Sequence, residues 1–509
     1  MDQTNGPPTR LEILSFNCWG LKYLSKHRSA RLTEIGRRIA TLQPPPEIVG
    51  LQECWTQEDY LSISHETRHI LPHGKYYYSG IFGGGLAILS KWPIEESSMV
   101  RYPLNGRPTA FFRGDWFVGK GVACARINMG PGPENVAEVF CTHLHAPYER
   151  EPNDSYICHR TAQAWEIAKL LRGASERGHL VIALGDFNMV PLSLAHRLIT
   201  AHAPVIDVWR VQHPDSSIGA AEDLQEQSRG RPIPSAEFNI IENGTTCDSI
   251  LNTWRWNKEQ QKRLRQGDDI IVDVKTEDQR GKRLDYIFVG DGMRSGARDT
   301  YYTSTSRWLV HDVKVGMVER HPSLKCSLSD HFSVEASLQK CFGEATEEKK
   351  SLQSIPNGLD AKGNLNPAFE VDPEDANSGN LPSPPAFVDP LPVSTYDEIL
   401  LMISTYKTRE YRQRRLRLSH FLLSLATSFG CLLAVWWSPH NYVSFILMLI
   451  STLGFGTGII DGLIGGLFVG SELRALNEFE WEINNVKGNA YPVKWGPSDP
   501  SDIVLATDP

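Results

Sequence analysis

Residues 181–191 read VIALGDFNMVP, and this stretch decides the fold. Its first four residues are apolar and predict a buried β-strand. The strand ends in the tetrapeptide GDFN, which leaves the carboxylate of Asp186 and the amide of Asn188 at its carboxyl edge. Ligands bind at that edge in layered α/β sheets. Alone, the tetrapeptide is also compatible with a plain turn, in which Asp and Asn bond their own backbone.

Four other polar clusters follow strand-like segments elsewhere in the chain, which favours a functional site over a plain turn. Residues 11–340 alternate between strand and helix patterns and predict an α/β domain. A polar, irregular region interrupts the pattern at 213–280. The predicted strands lie at 11–18, 47–52, 86–90, 136–142, 284–289 and 332–338, and the predicted helices lie at 27–42 and 161–172.

The composition limits the classes of protein to which the chain can belong. A length of 509 residues exceeds one ordinary core, so two or more modules are expected. A net charge of −8 and a pI of about 6.1 argue against a nucleic-acid partner, because such domains carry a basic surface. The nine cysteines form no C-x-x-C pair, which favours reduced thiols in a cytosolic compartment. The first residues, MDQTNGPPTR, predict no secretory signal.

Asn17 and Glu53 each stand at the end of a predicted strand. Hydrolysis of a phosphodiester needs charge neutralisation on the phosphoryl oxygens, an activated water and stabilisation of the leaving alkoxide. Mg²⁺ supplies the first and is held by few carboxylates. Glu53, in GLQEC, suits such a ligand, with Asn17 beside it as a neutral helper. A single Glu after a strand is more often a surface residue, so this prediction depends on the other clusters.

Two histidines extend the candidate site. A histidine that acts as general base needs a pKa near the working pH and a carboxylate that fixes its tautomer. His331 is the candidate base, and Asp285, at the start of a predicted strand, is its expected partner. Asp330 has two interpretations, a metal ligand or a hydrogen bond to the backbone, and His143 is a candidate donor to a phosphoryl oxygen. Each histidine alone is more often structural; together they indicate catalysis.

The C-terminal third has a different composition and predicts a membrane anchor. Residues 343–395 are rich in Glu, Asp, Asn, Ser and Pro, which predicts a disordered or extended linker after a catalytic domain at 1–342. Residues 421–437 and 442–470 are apolar, and a transmembrane helix needs roughly 20 such residues. Only the four residues at 438–441 separate them, which indicates a tight helical hairpin. The alternative is a pair of buried helices in a soluble domain.

Basic residues indicate the orientation of this hairpin. They crowd the juxtamembrane segment 396–420, from Lys407 to Arg417. By the positive-inside rule that side is cytosolic, so the catalytic domain and the tail at 471–509 face the cytosol. The cluster either binds anionic phospholipids or serves only as a topology signal. The expected location is the endoplasmic reticulum or another internal membrane, mitochondria included.

Small residues recur at every fourth position in both apolar segments. In lipid this spacing lets two helix backbones approach closely. We expect the two faces to meet within one chain or between chains, so the helix at 442–470 is also a candidate surface for a homo-oligomer. Asp461 is costly in a bilayer and is expected to face the seam or lie near the interface. The small residues are Ala426, Gly430 and Ala434, then Gly454, Gly458, Gly462, Gly466 and Gly470.

Several motifs, taken together and in order, carry a resemblance to a known family. They read LSFNCWG, GLQECW, GGGLAILSKWPI, CTHLHAPY, GDFN, LDYIFVG and SDHFSVE. Residues 11–340 resemble the endonuclease/exonuclease/phosphatase superfamily, whose DNase I-like fold is a four-layer α/β sandwich. Within it, TCDSILNTWR at 246–255 and the C-terminal hairpin are similar to the neutral sphingomyelinases, including the fungal inositol phosphosphingolipid phospholipases C.

The resemblance implies a role for each candidate residue. Glu53 matches the family's Mg²⁺ ligand, and His331, paired with Asp285, matches its proton acceptor. Asp186 and Asn188 match the pair that contacts the scissile phosphate.

The resemblance also implies an oxyanion-stabilising role for His143 and identifies a P-loop-like segment. That segment, GDWFVGKG at 114–121, has Asp115 and Lys120 as counterparts of the family's activity-controlling pair. Gly121 stands where a nucleotide-binding P-loop has the hydroxyl that coordinates Mg²⁺, so binding of ATP or GTP is not expected. A switch loop that gates the site and a simple hairpin turn both remain open.

These observations predict a membrane-anchored, Mg²⁺-dependent phospholipase C that releases ceramide and a phosphorylated headgroup from phosphosphingolipids. The alternatives are a membrane-anchored nuclease or inositol-phosphate phosphatase on the same fold, and a non-enzymatic membrane scaffold. Either Asp186 or a metal-bound water protonates the leaving oxygen. The choice between choline phosphate and inositol phosphate as headgroup stays open, with its pocket expected among residues 210–280.

Overall fold

The chain folds into an α/β sandwich and a helical hairpin that pack against each other. Most of the expected linker, 343–390, and the end of the expected tail, 492–509, lie outside the described residues. The computed structural model describes residues 6–149, 154–291, 306–342 and 391–491.

Strands and helices alternate along the sandwich. The strands are β1 (Arg10–Asn17), β2 (Ile48–Gln52), β3 (His73–Tyr77), β4 (Leu86–Ser90), β5 (Ile94–Arg101), β6 (Gly121–Asn128), β7 (Val136–His143), β8 (Leu180–Asp186), β9 (Ile206–Asp207), β10 (Asp285–Asp291), β11 (Ser306–Gly316) and β12 (Ser333–Phe342). The helices are α1 (Arg28–Thr41), α2 (Gln57–Thr67), α3 (Asp115–Val118), α4 (Ile157–Glu176), α5 (Leu194–His202), α6 (Val208–Gln212), α7 (Leu224–Gln227), α8 (Ala236–Ile241), α9 (Lys258–Arg265), α10 (Val393–Ala434), α11 (Asn441–Leu463) and α12 (Val469–Ala490).

Two six-stranded mixed sheets form the centre of the sandwich, in the orders β11-β12-β1-β2-β4-β3 and β5-β6-β7-β8-β10-β9. The pairs β1–β2 and β7–β8 are parallel, and the other neighbours are antiparallel. The sheets approach so closely that a Cβ on Gly50 would lie 1.8 Å from Cδ1 of Leu184. Only glycine fits at this crossing.

Helices cover the outer face of each sheet. Ile35 of α1 and Ile63 of α2 share an apolar cluster with Phe16 of the first sheet. Leu171 of α4 shares another with Val181 of the second sheet. The order is therefore helix, sheet, sheet, helix, and the predicted four-layer α/β sandwich is confirmed.

The registers of the strands place the candidate residues at one edge. Asn17 pairs with Gln52, the residue before Glu53. In the second sheet Asp186 pairs with His143 on one side and with Asp285 on the other. Since β1 and β2 run in parallel, as do β7 and β8, their polar carboxyl ends meet without any loop having to bend back.

The C-terminal helices form a hairpin, as predicted from its composition. Both are long and apolar enough to cross a membrane, and their apolar windows are only 11% buried within the protein. The Ser428 and Ser451 hydroxyls lie 2.6 Å apart across the seam. Asp461 faces the seam as predicted, because its carboxylate pairs with Arg417 and accepts from His420 Nδ1 at 2.8 Å.

The small residues meet only in part within the chain. Gly458 lies against Ser424, and Gly462 lies against the ring of Phe421. The face of α10 that carries Gly430 is exposed instead, with nothing within 4 Å of a Cβ added there. The intrachain pairing of this face with the glycines of α11 is therefore wrong, because serine hydroxyls of α10 occupy the seam. Pairing between chains stays a prediction.

The helices continue beyond the predicted spans and dock on the sandwich. α10 begins at Val393, and α11 passes through a π-helical turn at Ile464–Phe468 into α12. Apolar residues of α12 belong to the same core cluster as Trp165 of α4. Glu482 of α12 accepts hydrogen bonds from Trp165 Nε1 at 2.5 Å and Lys169 Nζ at 2.7 Å. The hairpin is therefore fixed to the α/β sandwich.

A buried ion pair holds the strand that carries Asp285. Arg283 donates through Nη1 and Nη2 to the two carboxylate oxygens of Asp207, at 2.9 and 2.8 Å. His196 Nε2 lies 3.1 Å from the same carboxylate. Both ion-pair side chains are almost completely buried, and burial of one without the other leaves an uncompensated charge.

We expect Asp207→Asn to destabilise the sandwich by about 3–5 kcal/mol, because it leaves the Arg283 guanidinium buried without its counter-charge. The matched control is Glu176→Gln, which removes the exposed pair with Arg172 and should change stability by about 0–1 kcal/mol. Urea unfolding of the full chain in detergent, followed by tryptophan fluorescence, measures both. Equal losses would contradict the prediction.

Candidate active site

Asn17, Glu53 and Asp186 converge where strands of the two sheets end. Nδ2 of Asn17 donates to Oδ2 of Asp186 at 3.0 Å and lies 3.3 Å from Oε1 of Glu53. Its Oδ1 accepts the backbone N–H of Trp19 at 3.0 Å, which fixes the direction of the amide. One amide therefore bridges a carboxylate of the first sheet and a carboxylate of the second.

His331 and Asp285 form a buried pair beside these carboxylates. His331 Nδ1 lies 2.8 Å from Oδ2 of Asp285, and His331 Nε2 lies 3.8 Å from Oδ2 of Asp186. The Thr246 hydroxyl accepts the N–H of Asp285, and the Ser329 hydroxyl accepts the N–H of His331. The predicted histidine–carboxylate pair is present, and its free nitrogen points towards Asp186.

His143 and Asn188 lie on the other side of Asp186. Nε2 of His143 is 3.5 Å from Oδ2 of Asp186. The backbone N–H of Asn188 donates to Oδ1 of Asp186 at 2.9 Å, and Nδ2 of Asn188 donates to the carbonyl of Leu144 at 3.1 Å. Asp186 is therefore the common neighbour of Asn17, Asn188 and both histidines.

Two of the candidate residues have left-handed backbone conformations. The φ angle is +53° at Glu53 and +46° at Asn188. Such conformations are uncommon in non-glycine residues and persist only where the surroundings hold them. At Glu53 the surroundings are Gly20, whose N–H donates to the Glu53 carbonyl, and Gly85, where an added Cβ would lie 3.2 Å from Glu53 Cα.

The buried charges shift one another's protonation. Burial, followed by the nearby Asp330, raises the pKa of Glu53. Burial raises the pKa of Asp186 to about 7, with Asp285 adding to the effect. Burial, followed by Lys120, holds the pKa of His143 well below its usual 6.5, so this imidazole is neutral. Burial would also lower the pKa of His331, but Cys247 and the two neighbouring aspartates raise it well above 6.5.

Comparison with known proteins identifies the group to which these residues belong. The profile of the Endonuclease/Exonuclease/phosphatase family matches residues 14–331. The chain belongs to the endonuclease/exonuclease/phosphatase family. It is 36% identical to an inositol phosphosphingolipids phospholipase C of Schizosaccharomyces pombe, over 94% of each chain. It is 31% identical to the protein of the same name in Saccharomyces cerevisiae, over 94% of this chain and 90% of that one.

A human relative in this family, sphingomyelin phosphodiesterase 2, is 38% identical over 39% of this chain and 46% of its own length. Within the family, the chain therefore belongs to the group of inositol phosphosphingolipid phospholipases C and neutral sphingomyelinases. A crystal structure of sphingomyelinase C from Streptomyces griseocarneus aligns over 64% of this chain and 99% of that chain, at 17% identity and a TM-score of 0.39.

The buried carboxylates fit a hard divalent cation. Ligand atoms of Asp186, Asp285 and His331 all lie within 4.8 Å of one another. Glu53 is adjacent through Asn17, and Oδ1 of Asp285 is buried without a hydrogen-bond partner. Like charges held this closely out of water call for a counter-ion, and oxygen ligands suit Mg²⁺.

The expected metal ligands Glu53, Asn17 and Asp330 lie at the same edge but in different environments. Asn17 directs its N–H groups, rather than its oxygen, at the carboxylates. Asp330 is partly exposed and lies 3.6 Å from Nη2 of Arg255. Glu53 is the best placed of the three, and the ligand set stays a prediction.

The P-loop-like segment lies next to the site. Lys120 is buried, and its Nζ donates to the Leu144 carbonyl at 3.1 Å, the same oxygen that accepts from Asn188. Asp115 lies 3.7 Å from Nδ1 of His145. Lys120 therefore lies beside Asn188, and Asp115 lies one step further out. Whether they act as a switch stays a prediction.

Several site neighbours were not singled out from the sequence. Thr246 lies within the motif TCDSILNTWR, and its contact with Asp285 joins residues that are distant in sequence. Asp248 of the same motif has a φ angle of +60° and pairs with Arg255 and Lys282 at 2.8 and 2.9 Å. Arg255 also lies close to Asp330, the residue before His331. The partly exposed cluster of Asp248, Arg255, Lys282 and Asp330 therefore lies next to His331.

The irregular region around 210–280 contains a cavity of about 850 Å³, lined by residues that include His213, Glu226 and Phe238. None of the candidate catalytic residues lines it. The cavity lies in the region expected to hold the headgroup pocket but apart from the candidate catalytic residues, and the headgroup pocket stays a prediction.

We expect Glu53→Gln to weaken binding of Mg²⁺ by about tenfold or more, because it removes a charged ligand from a buried site. The control is Asp268→Asn, an exposed carboxylate that pairs with Arg263 on another segment. Isothermal titration of the detergent-solubilised chain with MgCl₂ gives both affinities. Equal affinity of Glu53→Gln and the wild type would remove Glu53 from the ligand set.

Proposed function

We propose that this chain is a phosphoric diester hydrolase that acts on phosphosphingolipids as a Mg²⁺-dependent phospholipase C at a membrane. One observation carries the proposal. The His331–Asp285 pair, His143 and the carboxylates of Glu53 and Asp186 converge in a single buried site. Relatives that align along almost the whole chain are named inositol phosphosphingolipids phospholipases C, which supports the substrate class.

His331 is the proposed general base in its deprotonated form. Because Cys247 and the two neighbouring aspartates raise its pKa well above 6.5, turnover is expected to rise with pH as this imidazole loses its proton. Asp285 holds Nδ1, so Nε2 is the nitrogen that faces the site. In this arrangement the carboxylate fixes the tautomer and stabilises the imidazolium after proton transfer. Nε2 takes the proton of the water that attacks phosphorus, and the new P–O bond forms as the bond to the ceramide oxygen breaks.

Neutral donors surround the phosphoryl oxygens. His143 donates as a neutral imidazole, which agrees with its lowered pKa, and Asn188 has a second amide N–H beyond the one bonded to Leu144. Asp186, whose pKa lies near 7, is the acid that supplies a proton to the leaving ceramide oxygen. The products are ceramide and the phosphorylated headgroup.

The cation, held by Glu53, would neutralise charge on the phosphoryl group when bound. Removal of divalent ions with EDTA should therefore abolish turnover, and MgCl₂ should restore it. Lys120 belongs to the same edge: burial lowers its pKa, and the carboxylates of Asp115, Glu53 and Asp186 favour its charged form.

The helical hairpin supports a lipid substrate. Its apolar faces are exposed, and its extensions are docked on α4 of the sandwich. Arg412, Arg414 and Arg415, close before the first span, are exposed and available to anionic phospholipids. We place the sandwich on the cytosolic side, at the endoplasmic reticulum or another internal membrane. Self-association through the glycine-lined helix at 442–470, where a Cβ added to Gly454 would have no neighbour within 4 Å, belongs to the same proposal.

Two other reactions on this fold fit less well. A net charge of −8 leaves no overall basic character for a nuclease. An inositol-phosphate phosphatase needs no membrane hairpin. A non-enzymatic scaffold does not explain a buried cluster of ionisable groups with left-handed backbone at two of them.

We expect Asp285→Asn to lower kcat on a phosphosphingolipid by about 10²–10⁴-fold with little change in KM, because His331 loses the group that orients it. The control is His65→Gln, an exposed histidine of α2. Initial rates in mixed micelles, with circular dichroism to verify folding, measure the effect. A kcat within twofold of wild type would refute the assignment of the base.

Solubilised protein assayed on inositol phosphosphingolipid, sphingomyelin, an oligonucleotide and a phosphoinositide should release phosphorylated headgroups from the first two classes only. The ratio of the two rates gives the headgroup preference. Turnover restricted to the oligonucleotide or the phosphoinositide would overturn the proposed function.

A further inference from the structure

Two loops of the sandwich expose large apolar side chains. Ile81 and Phe82, in the loop between β3 and β4, are 72% and 59% exposed. Phe111 and Phe112, in the 3₁₀ turn Pro108–Arg113, are 49% and 76% exposed. We call these four residues the aromatic rim. Exposed apolar side chains are informative where they belong to one surface, because such surfaces mark sites of interaction with a protein or a membrane.

The rim is joined to the hairpin by continuous packing. The N–H groups of Ile81 and Phe82 donate to the Phe117 carbonyl at 2.8 and 3.1 Å, and the rings of Phe82 and Phe117 are 5.6 Å apart. Trp116 contacts Phe117 at 5.2 Å and Phe468 at 4.5 Å between ring centroids. Phe468 belongs to the π-helical turn at the end of the second predicted span.

A hydrogen bond also attaches the second loop, Pro108–Arg113, to the helical hairpin. Nη2 of Arg417 donates to the carbonyl of Thr109 at 3.3 Å. Arg417 lies one turn before the first predicted span, and its guanidinium also pairs with Asp461 of α11. The turn that carries Phe111 and Phe112 is therefore attached where both helices of the hairpin leave the apolar region.

We propose that the aromatic rim inserts into the interfacial region of the same bilayer that the hairpin crosses. The inference rests on the proposed membrane location of the hairpin. A lipid surface is the occupant that the contacts favour, because the rim continues an apolar surface that ends in Phe468. The exposed Arg412, Arg414 and Arg415 on the adjoining helix match a layer of anionic headgroups.

Insertion of the rim would place the entrance of the active site against the lipid headgroups. The loop of Ile81 and Phe82 leads directly to Gly85, whose carbonyl accepts the N–H of Cys54 at 2.9 Å, next to Glu53. On the other side, Phe117 is three residues from Lys120. A phospholipid would then reach the buried carboxylates without first leaving the bilayer for water.

The test uses the full chain reconstituted in vesicles of phosphatidylcholine and phosphatidylserine. In a Cys341→Ser background, which removes the exposed native thiol, a polarity-sensitive fluorophore is attached to Phe112→Cys, Phe82→Cys or Leu224→Cys. Leu224 is 84% exposed on α7 and serves as the matched control. We expect blue-shifted emission at positions 82 and 112, strongly quenched by lipids brominated on their acyl chains, and neither effect at 224.

Aqueous emission at 82 and 112, equal to that at 224, would overturn the inference. Blue-shifted emission that brominated lipids do not quench would also overturn it, in favour of a second copy of the chain or another protein on this surface. A chain that fails to enter the vesicles contradicts both this inference and the membrane proposal. Immersed labels on a chain that hydrolyses no phosphosphingolipid would uphold the rim and refute the proposed function.

A functional readout separates the rim from the catalytic residues. The double variant Phe82→Ser with Phe112→Ser should lower turnover of lipid in vesicles by about tenfold or more, since two large apolar side chains lose their burial in lipid. Turnover of the same lipid in detergent micelles should stay within about twofold of wild type, which also verifies the fold. Equal losses in vesicles and micelles would contradict a role at the bilayer surface.

Discussion

The carboxylate of Asp186 is the interaction on which the site depends. It belongs to the second sheet, yet it accepts a hydrogen bond from Asn17 of the first. Its Oδ2 also lies 3.5 Å from His143 and 3.8 Å from His331. A buried carboxylate is unfavourable unless polar groups surround it. The two sheets must therefore hold their relative position for this carboxylate to stay buried. That constraint aligns residues from four strands and three loops.

The close approach of the sheets supplies this rigidity. Gly50 leaves no room for a side chain beside Leu184, so the central strands cannot shift without a clash. The ion pair of Arg283 with Asp207 fixes the strand that begins at Asp285. Left-handed backbone at Glu53 and Asn188 is tolerated for the same reason, since neighbouring strands hold both residues in place. The strained backbone and the closely spaced carboxylates therefore lie where the packed central strands leave the least room for rearrangement.

Strands and site residues that belong to short sequence patterns could be predicted from the sequence. Contacts between residues that are distant in sequence could not. The apolar run before GDFN predicted β8 and the position of Asp186, and the pairing of His331 with Asp285 is also present. The sequence did not indicate that Ser424 and Ser428, rather than Gly430, line the helical seam, because spacing gives a face but not its partner. The expected tail at 471–509 begins with a helix instead, in which Leu473, Leu476 and Phe479 recur at helical spacing and share a buried apolar cluster with α4.

The π-helical turn at Ile464–Phe468 has a mechanical consequence. A π turn holds one residue more than the α-helix around it, so it rotates the downstream face by about 100° relative to the upstream face. Upstream, Gly458 faces the other arm of the hairpin; downstream, Glu472 lies 3.2 Å from His159 and Glu482 accepts a hydrogen bond from Trp165, both of α4. The one extra residue of the π turn therefore lets a continuous helix pack against the other arm of the hairpin before the turn and against the sandwich after it. A rotation of this helix about its own axis in the bilayer would therefore move the whole sandwich.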